Sequence, residues 1–180
     1  NCNDWTYFVT LTISPERFDR FDLRGFYSKF SKWVNNYKRD SGCKLAYVFV
    51  PEMHSDGAWH LHGLVNNIVP EQLVEYKLAD YYPWTDVRLP NYIRERVAKG
   101  ERLYNWVPYS EKFGFCLIEP LRSTERAANY ITKYIAKGFG ADKRFKGARL
   151  LMPSKGLKRA EKIKKGYTYI ADVQPIFDND

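Results

Sequence analysis

The stretch from 45 to 66 constrains the fold more than any other part of the chain. Two apolar, β-branched runs flank Ser55-Asp56-Gly57, a pattern typical of two strands joined by a tight turn. Successive side chains of a strand alternate between its two faces, so His60 and His62 project side by side from one face. Two imidazoles placed in this way can reach a single cation.

The register of this hairpin decides whether Glu52 can join the two histidines. Pairing Glu52 with His62 and His54 with His60 places all four side chains on one face, and a loop of three residues (56–58) or of five produces that register. A loop of two or four residues turns Glu52 to the other face, because the side-chain period of a strand is two. We predict the first arrangement, produced by a bulge in the turn.

Charge and cysteine content narrow the classes of partner and compartment. The chain has 180 residues, enough for one domain, and its net charge is +8 with a pI of about 9.3. This charge favours a polyanionic partner. Three widely spaced cysteines predict no disulfide framework and indicate a reducing compartment, so we expect a cytoplasmic protein. No apolar run approaches the ~18 residues of a membrane span, and the start at Asn1 without Met suggests an excised fragment.

Hydrophobic periodicity predicts the order of the elements. A strand is expected at 5–13, a helix over 21–38 with Asp22 as its N-cap, and a short helix beginning at Pro70. After the hairpin, a strand is expected at 113–119 and a helix from Ser123 to about residue 137. A short helix over 159–165 and a last strand over 167–173 complete the prediction.

Residues 67–112 interleave aromatic and basic side chains, and two interpretations stay open. Rings and arginines together suit a single-stranded nucleic-acid surface, on which bases stack and phosphates are paired. The other interpretation is an ordered insertion packed on its own aromatics. The residues concerned are Tyr81, Tyr82, Trp84, Arg88, Tyr92, Arg94, Arg96, Lys99, Arg102, Tyr104, Trp106 and Tyr109.

The predicted helix after Ser123 carries a Tyr-x-x-Lys pattern twice. Tyr130 and Tyr134 are four residues apart, as are Lys133 and Lys137, so each pair shares one helix face. On an ordinary amphipathic helix the same pattern would mean rim tyrosines and solvated lysines.

Three segments together resemble the motifs of HUH-superfamily endonucleases, the rolling-circle replication initiators of small plasmids and single-stranded DNA viruses. They are Val9-Thr10-Leu11-Thr12, the run from Glu52 to His62, and Asn129-Tyr130-Ile131-Thr132-Lys133. The resemblance implies an α+β fold, with a central antiparallel β-sheet and helices packed on it, of ferredoxin-like or RRM-like type. It would cover residues 1–140 with an insertion at about 67–112, followed by a basic C-terminal extension over 141–180.

The resemblance also implies roles for single residues. Glu52, His60 and His62 would bind Mg²⁺ or Mn²⁺, and His54 would support a ligand or act as a further one. Of the tyrosines, Tyr130 is the favoured nucleophile and Tyr134 a competitor or second nucleophile, with Lys133 and Lys137 steadying the phosphate or the phenolate. DNA contacts would come from Thr10, Thr12, Arg122, Arg126, Lys143 and Arg144.

The activity implied is metal-dependent, sequence-specific nicking and joining of single-stranded DNA through a covalent 5′-phosphotyrosine, which initiates rolling-circle replication. The partners would be single-stranded DNA at an origin, a host polymerase and a host helicase, with no membrane and no small-molecule substrate. No Gly-x-x-x-x-Gly-Lys-Ser/Thr motif for a helicase domain occurs in this sequence. The alternatives are a relaxase or single-strand transposase of the same superfamily, or a non-catalytic RRM-like nucleic-acid-binding module.

Overall fold

One antiparallel sheet of seven strands organises the computed structural model, which describes residues 3–78, 89–123, 129, 131–133 and 150–158. The strands lie in the order β4-β5-β6-β1-β3-β2-β7, so β1 and β3 are central. With helices packed on this sheet, the predicted α+β class is confirmed. The strands are β1 Tyr7–Thr12, β2 Ala46–Met53, β3 Trp59–Asn66, β4 Leu73–Glu75, β5 Tyr104–Trp106, β6 Cys116–Pro120 and β7 Met152–Pro153.

Helix α1, Leu23–Ser41, covers one face of the sheet. It begins where predicted, because the Asp22 carboxylate accepts a hydrogen bond from the Gly25 amide at 2.9 Å. It ends at Gly42, whose φ of 67° is left-handed. Its buried Phe26 and Phe30 belong to a core that includes the odd-numbered positions of β1. The even-numbered positions of β1 therefore point away from α1.

The β2–β3 hairpin has the predicted parity but not the predicted partners. Glu52 pairs with His60, and His62 pairs with Val50, so the register is shifted by two residues from the one expected. The shift preserves the face, since the side-chain period is two. Glu52, His60 and His62 lie on one side as predicted, whereas the pairing of Glu52 with His62 is wrong.

The shift originates in the position of the turn. The His54 amide donates to the Ala58 carbonyl at 2.8 Å, and the Gly57 amide donates to the His54 carbonyl at 2.9 Å. The loop is thus 55–57 rather than 56–58. Gly57 has a φ of 87°, the left-handed conformation that ends a three-residue hairpin loop. Placing glycine at that position moves the loop one residue earlier along the chain.

The described part of 67–112 extends the sheet. Beyond β6, β5 and then β4 add an edge, and they are accompanied by α2, Asn91–Ala98, and α3, Val107–Lys112. Trp106 and Tyr109 are fully buried in the core beneath α1, so these two aromatics pack rather than stack on bases. Tyr92 is half exposed, and for it both interpretations remain open.

Two boundaries differ from the predicted ones. A 3₁₀ turn, Pro70–Gln72, stands where a short helix was expected, since Leu73 already enters β4. The predicted strand at 113–119 is β6, Cys116–Pro120, because Phe113 still closes α3 and Gly114 approaches the backbone of Ser14.

Residues 150–158 also join the sheet, as β7 pairs with the outer edge of β2. The predicted elements at 159–165 and 167–173, and Tyr81, Tyr82, Trp84 and Arg88, lie outside the described residues. Of the helices that the structure describes, none has the length and hydropathy needed to cross a membrane.

Candidate metal centre

The face of the sheet opposite α1 gathers the side chains proposed to bind metal. His60 lies between Thr12 on β1 and Glu52 on β2, and His62 lies between Thr10 and Val50. Strand alternation fixes this arrangement, because all six are on the same side of three adjacent strands. The hairpin therefore delivers the two histidines and the carboxylate to one patch.

Glu52 and His62 are in direct contact. Glu52 Oε2 lies 2.9 Å from His62 Nε2, although their Cα atoms are not cross-strand partners. His62 is buried, with 8% of its surface exposed. The contact is diagonal across the hairpin, within reach of a long side chain.

Thr10 fixes the orientation of the His62 ring. Its Oγ1 lies 3.1 Å from His62 Nδ1, on the ring edge away from Glu52. The Phe8 ring is stacked near His62, with centroids 6.1 Å apart and an interplanar angle of 18°. An imidazole that donates through Nδ1 to a hydroxyl presents the Nε2 lone pair, the form that binds a metal.

His60 is held in its neutral form. Burial lowers the pKa of His60, and the neighbouring His54 and His62 lower it further. The rings of His54 and His60 are stacked, with centroids 5.3 Å apart. A neutral imidazole is the form that a metal ligand requires.

The hairpin turn is braced against the segment before α1. Arg20 Nη2 lies 3.1 Å from Asp56 Oδ2, and the Trp59 indole donates to the Phe21 carbonyl at 3.0 Å. Asp56 Oδ1 is 3.4 Å from His54 Nδ1. A hydrogen bond from the Ala58 amide lowers the pKa of Asp56, and Arg20 lowers it further. These contacts hold His54 beside His60 at the end of the strands.

The donor set suits a hard or borderline cation, since two imidazoles and one carboxylate leave coordination positions for substrate oxygens. Among the described residues, however, no group of three or more His, Cys, Asp or Glu side chains is arranged to hold a metal ion. Instead, the donor atoms of Glu52 and His62 contact each other. A bound cation would have to replace that contact.

The tyrosine-bearing segment is described only in part. Residues 129 and 131–133 are helical, and Ile131 is buried in a cluster with Val50 and Leu64. Val50 is the cross-strand partner of His62, so this helical segment packs on the face that carries the histidines. Lys133 is exposed. Tyr130, Tyr134 and Lys137 lie outside the described residues.

The residues proposed to contact DNA have different surroundings. The Thr12 hydroxyl donates to the Phe115 carbonyl at 2.7 Å, so both sheet threonines have partners within the protein. Arg122 is exposed and lies 3.4 Å from Glu101. Arg126, Lys143 and Arg144 lie outside the described residues, and DNA contact by all six remains a prediction.

Sequence reasoning missed a groove of about 700 Å³ on the same face. Its lining includes Phe8, Arg96, Glu101, Glu119 and Arg122. The interleaved arginines of 67–112 were the only signal, and they did not indicate that Arg96 would meet two carboxylates distant in sequence.

Comparison with known proteins supports the sequence resemblance. The model of the ORF2-type family of replication-associated proteins matches residues 6–139, a range that includes the hairpin and the Tyr130 segment. No curated protein and no solved structure matches the chain.

Proposed function

Because the chain belongs to the ORF2-type family of replication-associated proteins, whose role is in replication initiation, we propose that it nicks and joins single-stranded DNA at the histidine-bearing face. The observation that carries the proposal is the burial of Ile131 with Val50 and Leu64. Ile131 directly follows Tyr130, so the candidate nucleophile belongs to a segment packed beside His62.

Glu52, His60 and His62 are the residues that would hold the divalent cation. When bound, Mg²⁺ or Mn²⁺ would polarise the scissile phosphate and favour departure of the leaving oxygen. Thr10 would keep the Nε2 lone pair of His62 directed at the site. His54, stacked on His60, would limit the rotation of that ring.

The chemical step is a transesterification at phosphorus. The tyrosine hydroxyl oxygen forms a bond to phosphorus while the bond from phosphorus to O3′ breaks. The phenol gives up its proton, and O3′ takes one to become a free 3′-OH. The 5′-phosphotyrosine conserves the phosphodiester bond, so attack by a 3′-OH reverses the step and joins the strand. The released 3′-OH is a primer for a host polymerase.

The test is detection of a covalent adduct. The protein is incubated with Mn²⁺ and a pool of 3′-labelled single-stranded oligonucleotides, since the 3′ fragment carries the 5′-phosphotyrosine. We expect a labelled band that survives SDS and disappears when EDTA is added. Tyr130→Phe is expected to remove the band, or Tyr134→Phe if that residue is the nucleophile.

Tyr27→Phe is the matched control, because Tyr27 lies on α1 and packs against the core on the other face. It should leave the adduct unchanged. If no sequence in the pool yields an adduct, or the adduct persists in the Tyr130/Tyr134 double variant, the nicking function is excluded. A non-catalytic binding module would then remain as the explanation of DNA binding.

A further inference from the structure

The groove of about 700 Å³ adjoins the proposed metal centre through one side chain. Phe8 stacks near His62 and also lines the groove. On the neighbouring strand, Phe8 pairs with Glu119 at the end of β6. A strand of DNA at His62 would therefore need to advance by only one side chain to enter the groove.

One wall of the groove is a charged network centred on Arg96 of α2. Arg96 Nη2 lies 2.7 Å from Glu101 Oε2 and 2.5 Å from Glu119 Oε2. The three side chains are 31%, 25% and 23% exposed, so each is shielded from bulk water but not sealed from the groove. Such partly desolvated charges form stronger hydrogen bonds than exposed ones.

Aromatic and apolar groups complete the surface. Phe8 lies on the sheet, and Leu103 and Leu121 line the groove. Tyr92 precedes Arg96 by one helical turn, which places both on the same face of α2. Burial and the nearby Glu119 carboxylate raise the pKa of Tyr92. Rings beside polar groups are the usual means by which proteins hold an unstacked base.

We propose that this groove binds one unstacked guanine of the single-stranded DNA, next to the nucleotide that is cut. The inference rests on the proposed function and adds a base-reading subsite to it. Guanine fits because its N1–H and N2–H₂ groups present two adjacent donors to a carboxylate, and its O6 and N7 accept from arginine. Cytosine offers a carboxylate a single amino group, adenine and thymine lack this combination, and the volume suits a purine.

The same ion pairs also tie α2 to β6, so the test must separate base reading from stability. Binding is measured by fluorescence anisotropy in EDTA, which prevents cleavage. The probes are labelled thymidine oligonucleotides of about fifteen nucleotides with one central dG, dA, dC or dT. We expect the dG probe to bind at least about fivefold more tightly than the others.

Two changes locate the effect. Deoxyinosine at the central position removes only the N2 amino group and is expected to abolish most of the preference, whatever the stability of any variant. Glu119→Gln should also abolish it while leaving binding of the all-thymidine probe unchanged. Glu111→Gln, which removes an exposed carboxylate from α3, is the matched control and should retain it.

Equal binding of the four probes, or a dG preference that survives both deoxyinosine and Glu119→Gln, overturns the inference. A preference for dC instead would also overturn it. Because these measurements need no catalysis, their failure is distinct from failure of the nicking function, which the covalent adduct assay decides.

Discussion

Glu52 and His62 contact each other diagonally, with Oε2 2.9 Å from Nε2, although Glu52 is paired in the sheet with His60. A single carboxylate therefore lies beside both imidazoles. This geometry explains how a register two residues away from the expected one still assembles the same three donors.

Glu52→Gln should separate metal binding from folding. The amide oxygen can still accept a hydrogen bond from His62, so the Tm without metal should change little. The neutral amide is a poor ligand, and we expect the Mn²⁺-dependent rise in Tm of the wild type to disappear. Thermal unfolding with and without Mn²⁺ measures this, with Glu111→Gln as the control. An unchanged Mn²⁺ response would remove Glu52 from the ligand set.

Thr10→Val should weaken the metal without removing a ligand. The substitution deletes the hydroxyl 3.1 Å from His62 Nδ1. Loss of such an orienting partner lowers metal affinity by about 10- to 100-fold. Thr12→Val is matched to it, since that hydroxyl bonds the Phe115 carbonyl and no ligand. Equal Mn²⁺ affinities of the two variants by titration calorimetry would contradict the assigned role.

Ile131→Ala should loosen the tyrosine-bearing segment. Ile131 is 6% exposed, and truncating a buried isoleucine costs about 2–5 kcal/mol. If that energy holds the segment on the sheet, the rate of adduct formation should fall by about tenfold for each 1.4 kcal/mol lost. Thr132→Ala changes an exposed β-branched residue of the same segment and should leave the rate near the wild-type value. Equal rates for both variants would mean that docking of Ile131 does not limit the reaction.

Gly63→Ala should destabilise the sheet next to His62. A methyl group on Gly63 would overlap the Phe49 ring and the Val48 carbonyl oxygen. We expect a loss of about 3 kcal/mol or more in the free energy of unfolding, the upper range for overpacking. Gly100→Ala controls for backbone conformation, because its φ is +81° but the added methyl meets no atom. It should cost about 1 kcal/mol. Urea unfolding curves of similar midpoint for the two variants would contradict the packing argument.

The Arg96–Glu101 pair should give stability that depends on pH. Hydrogen bonding to Arg96 lowers the pKa of Glu101 below its ordinary value of 4.5. The ionised form is thus favoured in the folded protein, so its contribution is present above pH 4.5 and is lost as the pH falls through the depressed pKa. Glu101→Gln should be less stable than wild type at pH 7, and the difference should close in stronger acid.

For that measurement, Glu95→Gln is the control, since Glu95 is exposed on α2 and forms no ion pair within the described residues. Its stability should follow that of the wild type throughout. A gap between Glu101→Gln and wild type that stays constant down to pH 3 would rule out the linkage.

The hairpin shows how far the sequence alone can lead. Alternation in the strands predicts which side chains share a face, because parity survives any even shift of register. It does not predict the partners, since these depend on which residue of the turn adopts positive φ. Gly57 settles that locally, and the prediction placed it one position too early in the loop.

Residues 67–112 show where composition fails. The same aromatic and basic residue types supply a core residue in Trp106 and an exposed ring in Tyr92. Only the pairing of β5 with β6 buries Trp106, and that contact joins segments that carry no common local pattern. The groove beside Phe8 arises in the same way, from α2, β1 and β6 together. By contrast, the capping of α1 by Asp22 is local and was predicted correctly.

The order of the strands also has an implication for engineering. The histidines belong to β3, whereas Arg96, Glu101 and Leu103 come from the connection between β4 and β5, across β1 and β6 from β3. The segment that builds the groove can therefore be exchanged as a cassette between relatives while the cutting machinery stays intact. Such chimaeras offer a direct route to nicking enzymes with altered targets.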